Sequence, residues 1–162
     1  MVLIAVGANL PLGEGSALST CESVVKKLQE TPDIEVLSVS SWYESAPVPP
    51  SGQPPYVNGV VRVRTSLSPD DLLTLLQQME ADFGRKRSVP NAARTLDLDL
   101  IAYDTLCQDD PRLTLPHPRA HERAFVLLPL HDVAPEWVHP VSQRPVAELL
   151  EAVSGQEISR IK

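Results

Sequence analysis

Between Arg94 and Ile101 the chain alternates without a break. Leu96, Leu98 and Leu100 fall at even positions, and Thr95, Asp97, Asp99 and Ile101 at odd ones. A period of two is the signature of a strand with one face in a core. The leucines face that core, and the two aspartates stand together on the opposite face, about 6.6 Å apart at roughly 3.3 Å of rise per residue. Paired carboxylates repel each other and favour no fold by themselves. They suit Mg²⁺, which takes one or two carboxylates and completes its shell with water and substrate phosphates. Arg94, three residues before Asp97, offers a planar fork of donors to the same phosphates. An Asp-x-Asp pair is equally the acidic, solvated face of an ordinary sheet, and alternation alone leaves both readings open.

The rest of the chain supplies a fold for that strand. Residues 2–7 are continuously apolar and read as a central strand; with no basic region before them they do not resemble a leader peptide. Residues 14–30 have helical spacing, with Leu18, Cys21, Val25 and Leu28 on one face. Residues 34–43 and 56–66 read as strands, separated by a stretch from Ser45 to Pro55 that holds five prolines and a glycine. In the second of these strands Val57, Val61 and Val63 oppose Asn58, Val60, Arg62 and Arg64. Ser68-Pro69-Asp70-Asp71 is a strong helix start, with a capping serine, a first-turn proline and acids at the positive end of the dipole. That helix buries Leu72, Leu76, Met79 and Phe83, carries Leu73, Gln77 and Glu80 on an adjacent stripe, and ends at Gly84. Strand, helix, strand, strand, helix, strand predicts an α+β, ferredoxin-like βαββαβ domain spanning 1–162, an antiparallel sheet with helices on one face. A C-terminal extension of short helices follows, one over 124–130 kinked or ended by Pro129 and one over 145–154. The other sheet face is expected to be partly free, with Asp97 and Asp99 pointing there.

Composition narrows the function. A net charge of −7 argues against nucleic acid as partner, and no apolar run approaches the length of a membrane span. Cys21 and Cys107 form no metal or redox motif, and a cytoplasmic, monomeric protein is expected. Phosphate-binding glycine loops, nucleophile elbows and zinc spacings are absent from the sequence. What remains is an acidic pair among Arg85, Arg87, Arg94, Arg112, Arg119 and Arg123, and in an acidic protein that grouping points to a polyphosphate. An RNA-binding module of the same strand order calls for a basic, aromatic sheet face. A regulatory module has no reason to gather two carboxylates and several arginines.

Five segments in register resemble one family. They are Ala5-Val-Gly-Ala-Asn-Leu10, Ser40-Ser-Trp-Tyr43, Gln53-Pro-Pro-Tyr-Val-Asn58, Arg94-Thr-Leu-Asp-Leu-Asp99 and Leu115-Pro-His-Pro118. From about Leu3 to Pro135 the chain is similar to the 6-hydroxymethyl-7,8-dihydropterin pyrophosphokinases of folate biosynthesis. The resemblance implies an ATP-dependent transferase: the hydroxymethyl oxygen attacks the β-phosphorus of ATP, diphosphate moves to the pterin, and AMP leaves. It implies two Mg²⁺ ions on Asp97 and Asp99, with Arg85 and Arg94 as the catalytic cations. It places Leu73, Gln77, Glu80, Arg87, Leu100, Arg112, Thr114, His117 and Arg123 at ATP. It places Tyr56 and Phe125 on the two faces of the pterin, Asn58 at its amide edge, and Ser45, Ala46 and Val48 beside it. The chain departs from the family in having no aromatic between Ser88 and Ala93, Ser88 for a base, Pro118 for an aromatic, and Ser45-Ala46 for Thr-Pro.

Overall fold

A computed structural model describes residues 1–8, 16–45, 55–83 and 96–161. The elements in order are β1 (Val2–Ala8), α1 (Ala17–Glu30), β2 (Ile34–Val39), β3 (Tyr43–Ser45), β4 (Tyr56–Thr65), α2 (Pro69–Asp82) and β5 (Asp97–Tyr103). After them come β6 (Gln108–Asp109), β7 (Thr114–Leu115), a 3-10 turn (Ala120–Glu122), α3 (Ala124–Val133), α4 (Val146–Ala152) and β8 (Ser159–Arg160). α1 begins at Ala17, inside the 14–30 stretch read from periodicity, and α2 begins at Pro69 as its sequence predicts. Ser16 and Ser19 form a reciprocal capping box at α1. Ser68 caps α2 by accepting from the Asp71 N–H at 3.2 Å, with Pro69 in the first turn.

The main sheet runs β5-β1-β4-β3-β8, with β2 also on β4, and every pairing in it is antiparallel. β2 and β3 share β4 between them, β2 along its far half and β3 along Tyr56–Asn58. The sequence reads residues 34–43 as one strand; the structure breaks it at Ser40–Trp42. Ser40 Oγ accepts from the Val60 N–H at 2.8 Å, a side chain replacing a ladder partner. The Trp42 ring lies so close to Gly59 that a Cβ there would meet it at 2.5 Å. The strand bends around the indole, and only glycine fits beneath it.

The sheet has a core on each face. Val2, Ile4, Val6, Val57, Val61, Val63, Leu96, Leu98 and Leu100 pack against Cys21, Val24 and Leu28 of α1 and Leu72, Leu76 and Met79 of α2. Leu3, Val60, Ile101 and Ala102 pack on the opposite side against α3 and α4. The C-terminal helices therefore cover much of the face left partly free by α1 and α2. Pro129 lies inside α3 without ending it, and burial of its ring accompanies burial of Leu127 and Leu130. The register along β5 slips at Ile101, where Leu3 pairs with Ala102 and Ile4 with Leu100. Ile101 shares the face of Asp97 and Asp99 but is buried at 1 % exposure, so the covered half of that face begins two residues past the acids. No described helix is long and apolar enough to cross a membrane.

Candidate active site

The part of the second face that the described residues leave uncovered is a cavity of about 710 Å³. Its floor is one row of residues across the sheet. Gly7 of β1 pairs with Asn58 of β4 on one side and with Asp97 of β5 on the other, and Ala5 likewise lies between Val60 and Asp99. Adjacent strands are about 4.8 Å apart, so Asn58 and Asp97 stand two spacings, roughly 10 Å, from each other. A Cβ on Gly7 would meet Asn58 Oδ1 at 2.8 Å. The absent side chain is what lets the Asn58 carboxamide lie flat toward the centre of the floor.

Asn58 is 8 % exposed, and its Nδ2 donates to Ser45 Oγ at 3.3 Å. Tyr56 and Phe125 line the same cavity, both half-buried. Phe125 sits in the first turn of α3, and the Arg123 guanidinium lies over its ring at 5.4 Å from the centroid, a cation–π contact. Asp97, Asp99, Arg119, Arg123 and Glu122 complete the rim with Gln156 and Glu157 of the C-terminal segment. Of the sequence-proposed residues, then, Ser45, Tyr56, Asn58, Asp97, Asp99, Arg123 and Phe125 come together in one cavity.

Glu80 is buried at 3 % exposure, and its carboxylate accepts from the Leu98 N–H at 2.9 Å. β5 is an edge strand whose outward donors need partners. Glu80 supplies one midway between the two aspartates, which gives it a scaffolding task beyond the ATP contact expected from sequence. Leu100 points into the first core at 3 % exposure, so a ligand can meet it only through backbone. Leu73 packs partly against that same core, and Gln77 is half-buried on the same helix. Arg112 donates to Thr74 Oγ1 and to the Asp70 carbonyl, which holds it against the start of α2.

Thr114 and His117 line a second cavity of about 390 Å³ rather than the first. His117 still feels the first site. Burial and the Arg123 charge push its pKa down, and Asp97 pulls it back up. Its Nδ1 accepts from the Arg119 N–H at 3.2 Å, which places the ring proton on Nε2. His117 is therefore a neutral Nε2–H donor near neutral pH. Arg85, Arg87, Arg94, Ala46 and Val48 lie outside the described residues.

Sequence reasoning passed over Gly7, Gly59, Glu122, Gln156 and Glu157 as site residues, and named Arg119 only among the bracketing arginines. A glycine inside an apolar central strand is itself a signal of close approach. Nothing local marks Gln156.

Paired strand carboxylates fit Mg²⁺ by donor chemistry. Among the described residues no three His, Cys, Asp or Glu side chains gather to hold a metal unaided. A carboxylate pair that relies on substrate phosphates for the remaining ligands is the usual Mg²⁺ arrangement.

Fold and cavity together define a small ferredoxin-like domain with an acidic, arginine-rimmed cleft suited to phosphate transfer. The family described as 7,8-dihydro-6-hydroxymethylpterin-pyrophosphokinase matches residues 3–135. The chain is 42 % identical over 151 residues to the 2-amino-4-hydroxy-6-hydroxymethyldihydropteridine pyrophosphokinase of Synechocystis sp., covering 93 % of this chain and 75 % of that one. It is 38 % identical over 160 residues to the protein of the same name from Pseudomonas aeruginosa, covering 99 % and 96 %. It also matches the folic acid synthesis protein of Schizosaccharomyces pombe at 33 % identity, spanning 96 % of this chain but only 21 % of that larger protein. The solved structure of Plasmodium falciparum HPPK-DHPS wild type with pteroate shares the fold at a TM-score of 0.72 and 13 % identity, over 93 % of this chain and 43 % of that one. The chain belongs to the 7,8-dihydro-6-hydroxymethylpterin-pyrophosphokinase family and is a pyrophosphokinase of folate biosynthesis, a transferase that uses ATP and Mg²⁺.

Proposed function

We infer that the protein transfers diphosphate from ATP to the hydroxymethyl group of 6-hydroxymethyl-7,8-dihydropterin at the 710 Å³ cavity, releasing AMP. One observation carries the assignment. The Asn58–Gly7–Asp97 row sets a carboxamide and a carboxylate side by side on the floor of one cavity, which Tyr56, Phe125, Asp99 and Arg123 also line.

In this reading the pterin ring lies between the two aromatics, a geometry that contributes about 0.5–1.5 kcal/mol beyond area burial. The Asn58 carboxamide offers a donor and an acceptor to the ring's amide edge, and Ser45 Oγ holds that carboxamide in place. Asp97 and Asp99 hold two Mg²⁺ ions, which when bound neutralise phosphate charge as it shifts during transfer. Arg123 presents N–H donors to phosphate oxygens from the start of α3, and the neutral His117, close enough to feel Arg123 and Asp97, offers its Nε2–H from the adjoining second cavity. Arg85 and Arg94 act as the cations that strengthen their contact with the β-phosphoryl group in the transition state. Confining the hydroxymethyl oxygen against the phosphate in this cleft makes the attack effectively unimolecular.

AMP formation from ATP decides the matter. It should require both Mg²⁺ and the hydroxymethyldihydropterin, and Asp97→Asn and Asp99→Asn should each lose most turnover while keeping the circular dichroism of the parent. ADP as product, or near-normal turnover in either variant, overturns the assignment.

A further inference from the structure

The family match ends at residue 135, yet the chain returns to the cavity after α4. The returning segment is anchored at both ends. The Gln156 N–H donates to the Val153 carbonyl at 3.0 Å. Farther on, β8 pairs with β3, Tyr43 opposite Arg160 and Glu44 opposite Ser159, and the Ile161 N–H donates to the Trp42 carbonyl at 2.8 Å. Between these anchors the Gln156 side chain makes two hydrogen bonds to main chain. Its Oε1 accepts from the Ala124 N–H at 2.9 Å, and its Nε2 donates to the Glu122 carbonyl at 2.8 Å. The two partners are the residues on either side of Arg123.

Arg123 occupies the N-cap of α3 and makes no capping hydrogen bond with its own side chain. That position ordinarily calls for Ser, Thr, Asp or Asn, whose side-chain oxygen takes one of the orphan N–H groups of the first turn. Here one of those orphan groups, the Ala124 N–H, is taken by Gln156, 32 residues beyond Ala124. Position 123 makes no cap of its own and carries a guanidinium, which lies over Phe125 and on the cavity rim.

We propose that Gln156 is a positioning residue of the substrate site: its carboxamide caps α3 from outside and fixes the backbone on both sides of Arg123, so setting the Arg123 guanidinium and the Phe125 ring for substrate. The proposal rests on the assignment of this cavity as the transfer site. An amide is the side chain the arrangement demands, because one end must accept and the other donate.

The test is steady-state kinetics on Gln156→Ala, Gln156→Glu and Arg123→Ala, assayed well below the melting temperature. Gln156→Ala should raise KM for substrate roughly tenfold, the size of one lost hydrogen bond. Gln156→Glu keeps the acceptor for Ala124 but sets a carboxylate oxygen against the Glu122 carbonyl, so it should fall between wild type and Gln156→Ala. Because Gln156 acts in part through Arg123, adding Gln156→Ala to Arg123→Ala should raise KM by clearly less than the roughly tenfold expected in the wild-type background. A residue serving stability alone would lower the melting temperature and leave KM at the assay temperature where it was; that result, or additive effects in the double variant, overturns the proposal. Should Gln156→Ala fold poorly, the KM of Gln156→Glu decides alone, and an unchanged value is again fatal. If instead the wild type forms no pterin-dependent AMP, or Arg123→Ala is indistinguishable from it, the site assignment falls and the proposal with it. An active wild type with an impaired Arg123→Ala and a normal Gln156→Ala sinks only the role of Gln156.

Discussion

Gly7 shows how much one missing side chain can decide. A methyl group there would press on Asn58 Oδ1, the flexible end of a side chain, and not on backbone. The fold can absorb that contact, while the carboxamide cannot hold its place on the cavity floor. Gly7→Ala should therefore weaken pterin binding by about fivefold or more, the equivalent of one misaligned hydrogen bond of ~1 kcal/mol, with a small change in melting temperature. Equilibrium titration with the pterin checks this, and an unchanged dissociation constant would remove Asn58 from the site. Tyr43 makes the complementary point about stability. Its hydroxyl donates to Asp132 Oδ2 at 2.8 Å, tying β3 to α3, and burial followed by the Asp132 bond raises its pKa from 10.0 to about 12. The folded state binds this proton more tightly than the unfolded chain does. The stabilisation is thus fully present below pH 10 and is lost as pH rises through about 12. Tyr43→Phe should be less stable than wild type at pH 8, and the gap should close as the pH climbs toward 12; melting curves across that range read it directly.

At the scale of elements, α3 joins the scaffold to the site. Its Ala124, Val126, Leu127 and Leu130 fill the second core, while its first turn presents Phe125 to the cavity beside Arg123. Leu127 is fully buried. Leu127→Ala removes a core side chain and leaves a void, which should cost about 2–5 kcal/mol in chemical denaturation. Leu128, half-buried in the same helix, should cost clearly less. Equal costs would mean that α3 does not dock by the face described. The two long helices α1 and α2 are legible in sequence because each has one apolar stripe, Cys21–Leu28 and Leu72–Met79, and a polar remainder. α3 is apolar almost all round, as a helix packed under a sheet and beside another helix must be, and its direction of packing cannot be read from period.

For the whole molecule, the proposed metal site on β5 makes ligand binding a lever on stability. Mg²⁺ with a non-hydrolysable ATP analogue binds the folded chain alone, and at about 100 times its dissociation constant it should add ~2.7 kcal/mol. For a chain of this length that corresponds to roughly 5–11 °C in melting temperature. Asp97→Asn should melt near the parent without ligand and lose most of the Mg²⁺-dependent rise, as read by thermal shift with and without chelator. An undiminished rise in the variant would place the metal elsewhere.

From the sequence alone come the βαββαβ succession of elements, the capping of α2, and the face on which Asp97 and Asp99 stand. These are local matters: periodicity and cap chemistry act over a few residues and leave their mark within them. The family resemblance also singled out Tyr56 and Asn58 within Gln53–Asn58, and Phe125 by its position. Tertiary structure alone decided that Gly7 lies between Asn58 and Asp97, since strand register is set by pairing partners 51 and 90 residues away in the sequence. It alone decided that Glu80 turns inward to the β5 edge, because an amphipathic stripe shows which way a residue points but not which orphan N–H waits there. And it alone brought Gln156 to α3, since its partners are main-chain N–H and C=O groups that every residue but proline possesses, and no pattern of side chains can announce them.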